Sequence, residues 1–595
     1  MLNLNTEELE DIITKWLTNF EQAIFDKNYP TLKLLFNTDS YWRDLLAFTW
    51  HVTTESGADK IAKSLVEYSP DIKASKFVID KNRTPPRIVT RAEKSVIETI
   101  FCFKTFHGKA NGIVRLIFED KNFNQVKAWT LLTALEEING FEEAIDKARP
   151  SGKNYSYNFD GPNWLEQRQT KIAYIDRDPA VLVVGGGQAG LSIAARLTQL
   201  NVDTLIIDRE ENIGDNWRKR YHSLTLHNQV HVNHLPYMPF PPNWPTYIPK
   251  DKLAGWFESY SEIMELNFWT NTELLSANYD GTNKKWRAKL KIANGNTQIM
   301  NPNHIIMATG VSGIPNFPNI PSLENFSGTT LHSSKYKSGD AWAGKKAIVI
   351  GTGNSGHDIA QDLYSHSARV TIIQRSPTMI VSVEPSAQLP YAVYDEGPNL
   401  DDCDLISASM PLPLSKIIHQ TITAKSKETD KTLLNKLDKV GFKLDFGRED
   451  TGWQFKYLER GGGYYFNVGC SDLIANRQIE LLQLESINQF IPEGLIKNNK
   501  QVIKADLIVL ATGFKGQDYI IRKIFGDSVN DLIGPIWGFD PGKYELRNMW
   551  TRTAQPGLWF IAGSFAQCRI YSKYLGLQIK ACEEGIIPLS RDTNN

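Results

Sequence analysis

Two glycine-rich turns, each set between a β-branched apolar run and a helix-like stretch, predict an α/β chain with two nested Rossmann-type dinucleotide-binding domains. A third observation adds an α+β domain ahead of them: residues before about 150 alternate helical spacing with long antiparallel-strand text.

The length of 595 residues suits roughly three to four structural domains. A hydrophobic share of 41% with 22% charged residues is the balance of a folded globular protein. Lys and Arg number 66 against 67 Asp and Glu, so no cationic excess exists to neutralise a polynucleotide, and nucleic acid is not an expected partner. No apolar run approaches the roughly 18 residues that cross a bilayer. The acidic start, with Glu7, Glu8, Glu10 and Asp11, lacks a signal peptide's layout. The expectation is a cytoplasmic protein without a membrane partner, its oligomeric state, homo-oligomer included, left open. Five cysteines lie far apart with no C-x-x-C pair and no zinc-like spacing, which excludes the dithiol chemistry of flavin disulfide reductases and gives no metal site.

Thr6 is a plausible N-cap for a helix whose Leu9, Ile12, Ile13, Trp16, Phe20 and Ile24 form one apolar face. The runs 96–101, 112–118 and 126–131 read as antiparallel strands. Helices followed by a curved meander, with Phe36 and the stretch 42–50 between them, resemble the cone-shaped domain of the nuclear-transport-factor type. From about Pro150 to Arg177 the text is rich in Gly, Asn, Pro and Tyr without a sustained period and reads as a linker, pinned by Trp164. A stretch from Pro385 to Phe446, helical from about Leu414 to Lys439, reads as an insertion.

The first signature is the run Ala180–Val184, then Gly185-Gly186-Gly187-Gln188-Ala189-Gly190, then a helix expected from Leu191 to Leu200. Gly185 permits the tight turn, Gly187 lets the backbone approach a pyrophosphate, and Gly190 lets the helix lie close to the strand. A second strand ends at Asp208, placed to accept from a ribose hydroxyl, with Arg209 beside it.

The second signature repeats the order: Lys346–Ile350, then Gly351-Thr352-Gly353-Asn354-Ser355-Gly356, then a helix expected from His357. Where the first site has Asp208, the chain here reads Gln374-Arg375-Ser376. A guanidinium there suits a ribose 2′-phosphate, so Arg375 argues for NADPH over NADH. His227, His231 and His234 invite a metal reading, which the Pro-rich run from Pro236 argues against because no long helix forms there.

Between the two signatures, Phe326 to Tyr336 resembles the F-x-G-x-x-x-H-x-x-x-Y/F element of the flavin-containing monooxygenase family, and the resemblance extends over about 175–590. Gly214-Asp215-Asn216-Trp217 resembles the family's G-x-x-W element beside the flavin, and Ala308-Thr309-Gly310 and Ala511-Thr512-Gly513 resemble its A-T-G crossovers. Baeyer–Villiger relatives usually close the first element with tryptophan, whereas this chain has Tyr336. The run 226–241 resembles both the animal-type region with an asparagine over the flavin and the YUCCA-type region with a histidine, so His227 and Asn228 are both catalytic candidates.

The resemblance implies FAD at the first signature, NADPH at the second, and transfer of one oxygen atom from O2 to a small organic substrate through a flavin C4a-hydroperoxide. N- or S-oxygenation and oxidation of a carbonyl or indole-pyruvate-like compound both stay open. The alternatives are a Baeyer–Villiger monooxygenase and an NADPH-dependent flavin oxidase or reductase that makes peroxide. The implied organisation is an N-terminal domain over 1–148, a linker over 149–177, an FAD-binding domain over 178–340 and 511–595, and an NADPH-binding domain over 341–510 carrying the insertion near 385–446. The N-terminal domain is expected to serve association or scaffolding.

Overall fold

The computed structural model describes residues 4–119, 125–151, 159–540 and 542–591. The first helix, Thr6–Phe25, is capped by Asn5 rather than Thr6. Asn5 and Glu8 exchange bonds, the side chain of each accepting from the backbone N–H of the other at 3.0 and 2.8 Å. The N-cap to N3 spacing of a capping box therefore starts one residue earlier than the sequence expectation. Leu9, Ile13, Trp16, Phe20 and Ile24 are buried on its inner face, as the spacing requires.

That helix, with Tyr29–Leu35 and Ala58–Ile72, accompanies a seven-stranded sheet. Lys94–Lys104, Gly108–Phe118 and Val126–Ile138 are antiparallel neighbours, matching the expected strands. Phe36–Leu45 adds a parallel pairing to Val126–Ile138, with Trp42 opposite Leu131. The sequence hides this strand because its buried run, Trp42 to Leu46, includes Arg43 and Asp44 instead of a clean alternation.

The two remaining large sheets are parallel and interleaved. One runs Asn267–Trp269, Thr204–Ile207, Val181–Val184, His304–Met307, Leu558–Phe560, and the other Thr329–His332, Leu507–Leu510, Lys346–Ile350, Arg369–Gln374, Glu480–Gln483. The chain leaves the first sheet after Met307, builds the second, and returns for the strand Leu558–Phe560. The two crossings run side by side, Ile314 pairing with Lys515 and Pro315 with Phe514. Thr329–His332, assigned by sequence to the first domain, pairs in the second sheet. Its exposed Thr329 and Thr330 give no apolar run, and it lies at the sheet's edge, where one neighbour suffices.

Two stretches hold more structure than the sequence suggested. The linker contains the helix Trp164–Ala173, capped by Asn163 and Glu166. Trp164 is about half exposed, yet its Nε1 donates to Glu265 at 3.0 Å, and Arg168 and Trp269 complete the attachment to the edge of the first parallel sheet. Residues 152–158 of that linker lie outside the described ones. The insertion forms Leu400–Ala408, Leu412–Thr429 and Lys431–Lys439, the expected single helix being divided at Asp430, whose carboxylate accepts from Ser382 N. It also binds the N-terminal domain: Asp402 accepts from Arg83 Nε at 2.6 Å and Thr84 N at 2.8 Å, in the loop before Arg87–Arg91, and Ser409 from Arg115 on the strand Gly108–Phe118.

Candidate functional site

Each glycine signature builds a cradle that other residues cannot fill. Gly185 has φ +110°, and a Cβ there would lie 2.7 Å from the Ala308 carbonyl oxygen; Gly351 has φ +118° with Ala511 O at 2.3 Å. A Cβ on Gly190 would lie 1.9 Å from Gly185 O, and one on Gly356 2.0 Å from Gly351 O. The two A-T-G elements thus press their alanine carbonyls against the glycine turns. The helices begin at Gln188 and Asn354, three residues earlier than expected, because Gly187 and Gly353 serve as extended N-caps with ψ −172° at both. As glycines, neither cap offers a side-chain acceptor to the first N–H groups, and neither first turn holds an acidic residue. Both helices therefore present unpaired N–H groups and a positive dipole end to an anion.

Around the first cradle, Asp208 Oδ2 accepts from Gly186 N at 2.6 Å and Oδ1 from Glu210 N at 2.9 Å. Gln188 Nε2 donates to Gly563 O at 3.3 Å, and Ala189 is buried against the core. Arg209 is exposed and donates to Gly313 O at 3.1 Å. Asn216 Nδ2 stands 3.1 Å from where a Cβ on Gly187 would sit, and so covers the glycine turn. Trp217 packs toward Phe565, ring centroids 6.3 Å apart, and its Nε1 is buried without a partner among the described residues. An open backbone cradle beside an unanswered indole N–H fits a large polar cofactor such as a flavin dinucleotide.

Sequence reading missed Arg220, three residues beyond Trp217. Its Nε donates to Asn216 O at 3.2 Å and its guanidinium lies 5.6 Å from the Phe514 ring, at the return crossing between domains. Burial pulls its pKa down.

Around the second cradle, Gln374 holds the backbone of Lys443 through bonds of 2.8 and 2.9 Å and is buried. Arg375 is exposed; its Nε approaches Ser376 Oγ at 3.3 Å, and it has no carboxylate partner among the described residues. Asn354 Oδ1 accepts from Phe466 N, which makes Asn354 an internal brace, while the neighbouring Ser355 is half-buried at the helix start.

The segment between the cradles fastens one domain to the other. His332 Nδ1 accepts from Ser334 N at 3.1 Å, so Nε2 carries the proton and donates to Gly513 O at 3.0 Å, in the return crossing. Tyr336 is fully buried and donates to Asp362 Oδ2 at 2.6 Å. It anchors the second cradle's helix.

His227 and Asn228 lie where the two domains meet. His227 Nε2 is 4.0 Å from Asp358 Oδ2, on the second cradle's helix, and its ring sets its edge to Phe466 at 5.5 Å. Burial raises the Asp358 pKa. Asn228 Nδ2 donates to Tyr391 OH at 3.0 Å. His231 turns to Asp395 at 3.3 Å, whereas His234 accepts from Phe240 N at 2.8 Å and is held neutral by burial, its pKa down to about 4.

Tyr391 leads to a cavity of about 350 Å³. Ser564, directly after Gly563, and Gln567, one helical turn on, line it; Gly563 is the residue that Gln188 contacts, so the cavity adjoins the first cradle. Tyr391 and Phe455 bring one side, and Trp550 and Tyr571, stacked at 4.0 Å, another. Arg43, Thr90, Arg91 and Ala92 close it from the N-terminal domain. The N-terminal domain, expected to serve association or scaffolding, thus supplies four residues of this wall.

The pyridine nucleotide-disulphide oxidoreductase family matches residues 182–400. All five cysteines are free and four are buried. The chain is 29% identical over 338 residues to the probable indole-3-pyruvate monooxygenase YUCCA4 of Arabidopsis thaliana, covering 57% of this chain and 76% of the relative. It is 30% identical over 336 residues to the probable indole-3-pyruvate monooxygenase YUCCA1 of Arabidopsis thaliana, covering 56% and 75%. Among solved structures, cyclohexanone monooxygenase from Rhodococcus sp. Phi1 bound to NADP+ shares the fold with a TM-score of 0.50 at 17% identity, over 69% of this chain and 85% of that one.

Proposed function

The chain belongs to the flavin-containing monooxygenase family, and from that premise we propose that it is an NADPH- and FAD-dependent enzyme that places one oxygen atom of O2 into a small organic substrate held in the cavity beside the first cradle. The observation that carries this reading is the pair of glycine cradles on interleaved sheets, one with Asp208 bonded to its turn and the other followed by the exposed Arg375 after its second strand, with a chamber adjoining the first.

In this reading Gly185 to Gly190, Asp208, Asn216 and Trp217 hold FAD, and Gly351 to Gly356 with Arg375 hold NADPH. Bound there, the flavin supplies the redox and oxygen-activating chemistry. The chain's own part is to orient the two cofactors, exclude water and admit the substrate. His227, near Asp358, and Asn228, bonded to Tyr391, are assigned to the passage between nicotinamide site and chamber. The relatives' names add indole-3-pyruvate to a substrate range of amines, sulfides and carbonyl compounds.

The test is turnover under isotopically labelled dioxygen with NADPH. One labelled oxygen in the product supports the proposal. NADPH consumption that ends in stoichiometric hydrogen peroxide with every substrate offered would replace it with the oxidase or reductase reading.

A further inference from the structure

The chamber's charged lining groups are Arg43, Arg91, Glu396 and Glu545, and every one is engaged within the wall. Arg43 projects from Phe36–Leu45 and grips Glu545 with both arms, Nε to Oε1 at 2.8 Å and Nη2 to Oε2 at 2.6 Å. Its remaining nitrogen donates to the Tyr571 hydroxyl at 3.1 Å and to the Ala408 carbonyl. The Arg43 and Glu545 side chains are only 6% and 12% exposed. Arg91, at the end of Arg87–Arg91, holds Glu396 at 2.6 and 2.7 Å and turns its other donors to Glu98. His419 faces Phe455 at 5.3 Å and is kept neutral, burial lowering its pKa to about 4.

Both guanidiniums belong to the N-terminal domain, and both carboxylates to the flavoprotein part. The pairs therefore join the two parts; Arg43 and Glu545 cancel charge there, while Arg91 and Glu396 share a cluster with Arg87, Glu98 and Arg115 in which every guanidinium is bonded to a carboxylate. A carboxylate-bearing substrate would find no uncommitted cation in this lining, and an ammonium no uncommitted carboxylate; burying either without a partner is costly. Neutral aromatic or aliphatic groups meet the remaining surface of Tyr391, Phe455 and Trp550 without that cost.

We propose that the N-terminal domain completes the oxygenation chamber and, by committing Arg43 to Glu545 and Arg91 to Glu396, makes the chamber selective for uncharged substrates. This rests on the reading of the cavity as the substrate site, and it removes indole-3-pyruvate, an anion at neutral pH, from the substrate range proposed above.

Calorimetric titration of the flavin-loaded full chain with methyl phenyl sulfide, its para-carboxylate and its para-aminomethyl ammonium form tests the proposal. The neutral sulfide is expected to bind about tenfold or more tightly than either charged probe. Glu545→Gln releases Arg43 and is expected to raise the carboxylate's affinity relative to the neutral sulfide by about tenfold. Glu396→Gln, at a side chain 29% exposed and so gentler on folding, should move the ratio in the same direction. A charged probe binding as tightly as the neutral one in the unaltered protein overturns the proposal, as does a ratio that neither variant moves. Sulfoxide formation is followed in the same samples. Its absence alongside the expected order of affinities would defeat the oxygen-transfer reading and leave the chamber's selectivity standing.

Discussion

In the cradle at 185–190 the residue that follows the second strand is Asp208, whose carboxylate holds Gly186 N; in the cradle at 351–356 the same place belongs to Gln374, with Arg375 next. The equivalence is structural, since Gly185 N donates to Ile207 O and Gly351 N to Ile373 O, both at 2.9 Å. The glycine backbone is nearly superposable in dihedral terms, Gly187 at φ −79° and Gly353 at −83°. Affinity for a pyrophosphate thus comes from backbone that both sites share; the side chains that differ in charge are Asp208 and the neutral Gln374, while Arg375 falls opposite Arg209.

The largest effect expected on this comparison comes from closing a cradle. Gly190→Ala drives a methyl into Gly185 O and should cost about 2–3 kcal/mol of local packing, leaving purified protein largely without flavin by its absorbance ratio. Gly356→Ala makes the matching clash in the other cradle and should keep the flavin while abolishing its anaerobic bleaching by NADPH. If Gly356→Ala lost flavin as completely as Gly190→Ala, the two cradles would not be separate ligand sites.

Next come the charged side chains beside each turn, Arg375 and Asp208. Arg375→Ala removes charge-assisted bonds of roughly 1.5–3 kcal/mol, so the KM for NADPH should rise about tenfold to a hundredfold while that for NADH stays level. An unchanged preference would assign Arg375 to the solvated surface. Asp208→Asn keeps an acceptor and loses the charge, and a loss of about 1 kcal/mol, roughly fivefold in flavin retention on dilution, is expected.

These cradles were the most legible part of the sequence, because strand, glycine turn and helix are consecutive and the chemistry sits on the backbone. The chamber was not legible. Arg43 and Glu545 are 502 residues apart, and a local pattern carries no trace of such a pairing. The same limit explains Thr329–His332, whose membership in the second sheet depends on its neighbour Leu507–Leu510 rather than on its own residues. Trp217 and Tyr336 were both singled out by resemblance, but only geometry separates them: one has an unanswered Nε1 beside the glycine turn, and the other is consumed by Asp362.

One further difference follows the last glycine of each cradle: Leu191 in the first, His357 in the second. His357 is fully buried, stacks on Tyr465 at 4.0 Å and lies with its Nδ1 3.3 Å from Gly353 O. Burial lowers its pKa to about 4, so it stays neutral in the folded protein where the unfolded chain would take up a proton. The sign follows from that difference: stability is full above the ordinary imidazole pKa near 6.5 and is lost as pH falls from there toward 4, by about 1.4 kcal/mol per pH unit and about 3 kcal/mol in all. The second domain, which holds His357 and His419 against His234 in the first, should accordingly be the more acid-labile of the two. His357→Leu, which copies the first cradle, should cost some stability at pH 7 through the lost ring stacking, yet flatten the decline of the unfolding midpoint between pH 6.5 and 4 by about one proton. An unaltered slope in that variant would mean that His357 takes up its proton in the folded state, and the acid sensitivity would then belong to His51, His234 or His419, whose pKa values burial also lowers.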